Sequence, residues 1–207
     1  MKRIAAVLLL ALAAAPALAQ NVVPAAPNAR WRSVATEDDR ARIGRWRETW
    51  VEALAQVRAG ANAGEIARGG ALFEPDTALA DPAPPAGDYD CRTTKLGAAS
   101  AGMLDYVAYP AFHCRIRMES GRLRLTRLNG SQRPVGELFT DNGRRMVFLG
   151  TLVLGDESRA LRYGRDRERN LIGLVERIGP QRWRIAFPRP AFESLLDVIE
   201  LVPRSRR

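Results

Sequence analysis

From residue 87 to residue 203 the apolar residues of this chain come in short runs that alternate with polar ones, broken by turn residues roughly every 8–14 positions. Period-two alternation marks a strand with one packed face and one wet face. Tyr89, Cys91 and Thr93 share one parity. Phe112, Cys114, Ile116 and Met118 share a face, opposite His113, Arg115 and Arg117. After the turn Glu119-Ser120-Gly121, Leu123 and Leu125 alternate with Arg122 and Arg124. Asp141-Asn142-Gly143 tolerates positive φ and predicts a hairpin joining residues 135–139 to 146–154, a run apolar on both faces. Residues 171–178 and the Gly179-Pro180 turn follow, and then Trp183, Ile185 and Phe187 alternate with Arg182 and Arg184. The last apolar run, 195–202, is a strand or a short helix passing into one. About eight antiparallel strands joined by hairpin-length turns predict an up-and-down β-barrel, because closure removes aggregation-prone edges. A β-sandwich is the alternative, since periodicity does not separate the two.

The texture upstream is different. Thr36 followed by Glu37, Asp38 and Asp39 predicts a helix start, with the hydroxyl as cap, Asp39 at the box position and acids at the positive end of the dipole. Ile43, Trp46, Trp50, Leu54 and Val57 recur at helical spacing and form one apolar face up to Gly60. A helix this short is marginal alone, so it is expected to pack outside the barrel, over the two-faced 146–154 strand. A weaker helical piece covers about residues 64–71. The run from Asp81 to Gly87, with three prolines, is a stiff linker. The expected organisation is a signal peptide over 1–19, a flexible tether over 20–35, a helical segment with its Pro-rich linker over 36–86, and the barrel over 87–203.

Lys2 and Arg3, a short apolar run and Ala17-Leu18-Ala19 predict export with cleavage after Ala19, hence a periplasmic protein. The apolar run is short for a transmembrane anchor, which takes about 20 residues, and residue 20 is Gln rather than a lipid-accepting Cys. In an oxidising compartment Cys91 and Cys114 are expected to pair, closing a loop whose cross-link contributes about 3 kcal/mol. Net charge is +9, from 32 basic and 23 acidic residues. Lysine occurs only at 2 and 95. Export argues against nucleic acid as the target of this charge; an acidic envelope protein or an anionic envelope component suits it better.

Seven segments stand out together: Gly87-Asp88-Tyr89-Asp90-Cys91-Arg92, Lys95-Leu96-Gly97, Phe112-His113-Cys114-Arg115-Ile116, Gly130-Ser131-Gln132-Arg133, Phe148-Leu149-Gly150-Thr151, Arg182-Trp183-Arg184 and Glu193-Ser194-Leu195-Leu196-Asp197. In these the chain resembles the bacterial domain of unknown function 4893 family. The likeness spans roughly residues 30–203 and implies an exported protein with no catalytic assignment. The architecture more loosely resembles lipocalin-like barrels and periplasmic inhibitor barrels, with Tyr89 where lipocalins carry tryptophan.

Catalytic signatures are missing from the sequence. Gly97-Ala98-Ala99-Ser100-Ala101-Gly102 has the wrong spacing for a nucleophile elbow. One histidine, His113, and two cysteines leave no multi-Cys/His metal site, and no glycine-rich phosphate loop appears. No catalytic residue, cofactor or metal is therefore expected, and His113 is read as a surface imidazole. Glu193, Asp197 and Glu200 flank apolar positions, so burial could raise a pKa, although pairing with arginines explains them equally. The loop Tyr163-Gly164-Arg165-Asp166-Arg167-Glu168-Arg169-Asn170 and the nearby Gln132 and Arg133 form a candidate binding rim at one barrel mouth. The rim residues are Gln132, Arg133, Tyr163, Arg165, Asp166, Arg167 and Arg169. The expectation is a non-enzymatic binding or inhibitor-like module. A carrier of a small amphiphile and a carboxylate-based hydrolase are the alternatives. Phe112, Met118, Leu123, Trp183 and Phe187 are expected to fill the barrel rather than leave it hollow.

Overall fold

The computed structural model describes residues 29–205, so the expected signal peptide, its cleavage point and residues 20–28 lie outside the described residues. Four short helices come first: α1 (Ala29–Val34), α2 (Glu37–Gly44), α3 (Trp46–Ala59) and α4 (Ala63–Gly69), with a 3-10 turn at Gly70–Leu72. Nine strands follow: β1 (Gly87–Ala98), β2 (Tyr106–Ala108), β3 (Phe112–Glu119), β4 (Arg122–Arg127) and β5 (Gln132–Asn142), then β6 (Arg145–Leu154), β7 (Asn170–Gly179), β8 (Arg182–Pro188) and β9 (Ser194–Pro203). The run over 195–202 is thus a strand throughout.

All strand pairs are antiparallel; β1 pairs with β3, the strands from β3 to β9 pair in sequence, and β9 returns to pair with β1 from Tyr89↔Pro203 to Ala98↔Ser194. That last ladder closes an eight-stranded barrel of β1 and β3–β9. The ninth strand, β2, pairs with Thr94–Leu96 on the edge of β1 whose other half, Gly87–Cys91, pairs with β3. Cys91 and Cys114 are disulfide-bonded across β1 and β3, with Cα atoms 5.8 Å apart.

Side chains fill the barrel. Tyr89, Ile116, Leu125, Phe148, Ile185 and Phe187 are almost wholly buried in one inner cluster with the disulfide. Phe148 and Phe187 meet edge to face, 5.3 Å between centroids. Room for Phe148 comes from the facing pair Gly136 and Gly150: a Cβ on Gly150 would lie 2.2 Å from the Val135 carbonyl oxygen and 2.7 Å from the Phe148 ring. Of the five bulky residues expected inside, Trp183 and Phe187 are buried, and Phe112 and Leu123 pack on the inner cluster while partly exposed. Met118 is 61% exposed, because its inward parity falls beside the Ser120-Gly121 turn, beyond the packed part of the barrel.

The helices cover two outer faces rather than one. Trp31 and Ile43, from α1 and α2, pack with Phe139, Val147, Leu149 and Ile172 on the outer side of β5–β7. Trp50, Ala53, Leu54 and Val57 of α3 cover Leu96, Leu196 and Val198 on β1 and β9. The single helix expected from residue 36 to Gly60 is two, broken at Arg45, where the backbone leaves helical geometry. Residues 29–34, grouped by composition with the tether, form α1 and bury Trp31. No helix among the described residues is long and apolar enough to cross a membrane.

Candidate functional site

In an up-and-down barrel, the end of one strand and the start of the next lie at the same rim. The carboxyl halves of β1, β4, β6 and β8 therefore meet the amino halves of β3, β5, β7 and β9. At this end the inward-facing row turns polar. On β1 the inward parity Tyr89, Cys91 continues as Thr93 and Lys95, both buried; on β4, Leu123 and Leu125 are followed by Arg127. Gln132 from β5 and Asp197 from β9 complete the ring, around a cavity of about 30 Å³, the room of roughly two to three waters. Pro134, Leu152, Leu171 and Ile199 supply apolar lining to the same cavity.

A short segment, Pro190-Ala191-Phe192, crosses the mouth in the β8–β9 connection, and Phe192 packs onto the inner cluster. Arg189 (φ 45°) and Glu193 (φ 71°), the residues flanking it, both sit in the left-handed region without being glycine. Such positions cost about 1–3 kcal/mol each and persist only where surrounding contacts hold them. Here Arg189 N donates to Leu195 O at 2.7 Å, and Glu193 binds Lys95.

The two cations of the cavity are held differently. Lys95 Nζ lies 3.1 Å from Glu193 and 3.4 Å from Asp197, while the Ser194 hydroxyl donates to the other Asp197 oxygen. Burial works against the ammonium, but Asp197 and Glu193 together raise the Lys95 pKa, so it stays protonated. Burial also raises the pKa of Asp197, against the pull of Lys95. Among the described residues Arg127 has no carboxylate within ion-pair distance. It donates from Nη1 to Thr93 Oγ1 at 3.2 Å and from Nε to the Asn129 carbonyl at 3.0 Å, and it stacks 3.4 Å from the Phe112 centroid. Burial pushes its pKa down to about 10, which still leaves it charged at neutral pH. Gly130 closes the other side: its φ is +91°, and a Cβ there would lie 2.6 Å from Arg127 Nη2.

The candidate rim residues do not converge. Gln132 lines the cavity, as does Glu168 from the loop. Arg133 instead staples loops, donating to the carbonyls of Gly130, Gly155 and Glu157. Arg169 is held by Glu157 at 2.6 Å and Asp166 at 3.4 Å, and Arg167 reaches Asp38 at 2.7 Å on the surface. Arg165 is exposed. Tyr163 turns away toward α2, where its hydroxyl accepts from Thr36 N and donates to Asp39. The three carboxylates near the chain end separate by parity: Glu193 and Asp197 bind Lys95, whereas Glu200 faces outward and pairs with Arg182. His113 is half-buried, 3.4 Å from Asp88 on the outer face. No group of three or more metal-ligating side chains occurs among the described residues.

Lys95, Thr93 and Arg127 were not singled out by sequence reasoning. The signal for Arg127 is its parity, which sets a charged residue at an inward position after Leu123 and Leu125. For Lys95 it is rarity among arginines, together with the same inward parity. Neither a curated protein nor a solved structure matches the chain. The model of the domain of unknown function DUF4893 matches residues 31–201, and the chain belongs to that family.

Proposed function

We propose that this protein is an exported, non-enzymatic binding module of the periplasm, and that its binding site is the polar end of the barrel. The observation that carries this reading is the contrast inside the barrel. Apolar side chains pack it along most of its length and leave a small cavity at the polar end, lined by a buried cation that has no carboxylate within ion-pair distance among the described residues. A carrier of amphiphiles needs a ligand cavity of several hundred Å³. For the hydrolase alternative, the three acids near the chain end are all paired, Glu193 and Asp197 with Lys95 and Glu200 with Arg182. The basic n-region, the Ala17-Leu18-Ala19 pattern and the disulfide support export.

The test uses the mature, disulfide-bonded chain recovered from the periplasmic fraction. Intact mass is expected to begin at Gln20. In a screen of small polar compounds and amphiphiles by nuclear magnetic resonance, a binder is expected to shift the signals of Thr93, Lys95, Arg127 and Phe192 and to be recovered unchanged. Binding of long-chain amphiphiles, or conversion of a bound compound, would overturn the reading.

A further inference from the structure

Building on the barrel end as the binding site, we propose that its cavity takes the carboxylate of a short aliphatic acid, of acetate-to-propionate size, with Arg127 as the cationic anchor. The need for an anion comes from Arg127 itself. It is 6% exposed, it lines the cavity, and among the described residues no acid lies within ion-pair distance of it, Asp197 acting on it only from farther away. A guanidinium offers five N–H groups, and two of them have protein acceptors here. An isolated buried charge costs several kcal/mol, and a counter-anion is what offsets such a cost. A planar carboxylate matches the guanidinium fork better than a spherical ion does.

Charge limits the ligand to a monoanion. Asp197 and Glu193 stand on the Lys95 side of the cavity, and Glu168 at its mouth carries no ion pair among the described residues. Sulfate or a phosphate dianion would meet these carboxylates with twice the repulsion and gain nothing from Lys95, whose charge is already matched. The walls decide the rest of the molecule. Leu152, Leu171 and Ile199, the last paired with Thr93 across β1 and β9, line the same cavity and give a surface for a methyl or ethyl group. About 30 Å³ of free space, under the Phe192 cap, limits the tail to one or two carbons.

The experiment is a thermal-shift and isothermal titration series on the mature, disulfide-bonded chain at matched ionic strength, with acetate, propionate, hexanoate and sulfate. Acetate or propionate is expected to raise the melting temperature saturably, by roughly 5 °C once it exceeds its Kd a hundredfold. Hexanoate and sulfate are expected to leave it unmoved. Arg127→Gln is expected to weaken acetate binding at least about tenfold, in line with loss of a charge-assisted hydrogen bond. Thr93→Val, which removes only the hydroxyl that orients Arg127, is expected to weaken it by a smaller factor and keeps the test open if the first variant does not fold. No saturable shift with acetate or propionate in the unmodified protein, or an equal shift with sulfate, overturns the proposal. If acetate fails while another polar compound perturbs Thr93 and Arg127, the carboxylate assignment falls and the binding site stands; if nothing perturbs them, both fall.

Discussion

At the scale of single residues, Tyr163 shows how a distant side chain completes a local motif. Thr36 caps α2 as expected, accepting from Asp39 N at 3.2 Å, but the Asp39 carboxylate does not return to the Thr36 amide. The Tyr163 hydroxyl stands between them, accepting from Thr36 N and donating to Asp39, which also binds Arg42. Tyr163→Phe strands a backbone donor and weakens the hold on a buried acid. A loss of about 1–3 kcal/mol is expected in urea unfolding. Burial, reinforced by the Asp39 carboxylate, raises the Tyr163 pKa to about 12, and burial raises that of Tyr89 equally. Because the folded pKa lies above the unfolded one, this stabilisation is complete below pH 10 and is lost as pH rises through 12. Absorbance at 295 nm should therefore show two of the four tyrosines of the sequence ionising near pH 12 while the fold persists, and Tyr163→Phe should remove one of them. The cap at Thr36 was legible because it lies within four residues. Its partner was not, since Tyr163 comes from a loop 127 positions away and reads equally as a rim residue.

At the scale of elements, a buried ion pair on the outer face of the barrel holds the arginine that ties the helical segment to it. Glu176 and Arg184 face each other across β7 and β8, both inaccessible, with Nη2 2.6 Å from the carboxylate; Arg145 reaches the other oxygen at 2.6 Å. Arg184 also donates to the carbonyls of Ala71, Leu72, Glu74 and Pro75, and stacks on Trp50. The alternation of Trp183, Ile185 and Phe187 with Arg182 and Arg184 was visible, but it implied a solvated arginine face. Period two tells which side a residue points to, and not whether a turn of chain lies on top of it. Glu176→Gln removes the carboxylate that ion-pairs with both arginines, so about 3–5 kcal/mol of destabilisation is expected, read as a lower urea midpoint. The same reasoning about cover explains α2 and α3: the apolar spacing runs on through Arg45, although the two helices pack on different faces of the barrel. Inside, Gly150→Ala tests the aromatic packing, because its Cβ would press on the Val135 carbonyl. A loss of about 1–3 kcal/mol is expected, with the Phe148 and Phe187 ring signals shifted in the nuclear magnetic resonance spectrum.

At the scale of the whole molecule, strand count and meander order were legible because hairpins are local, whereas the β1–β9 closure joins residues about a hundred positions apart. That closure gathers Lys95 and Asp197, which is why the cavity escaped sequence reasoning while the loops beside it did not. β1 carries an unusual load: it is the strand that closes the barrel, it splits one edge between β2 and β3, and α3 lies on its outer face. The disulfide ties this strand to β3 across a sequence separation of 23, so its contribution falls on the element that the rest of the barrel waits for. Cross-linking a loop of that size restricts the unfolded chain by about 3 kcal/mol. Reduction, or replacement of both cysteines by alanine, should therefore lower unfolding stability by about that amount, with a steeper urea dependence because the open chain exposes more surface. Both sulfurs are buried among Tyr89, Ile116 and Leu125, so the alanine protein should lose further stability from the vacated volume, and the reduced wild-type protein should not. A reduced protein as stable as the oxidised one would mean that β1 and β3 stay paired in the unfolded ensemble, leaving the bridge little entropy to remove.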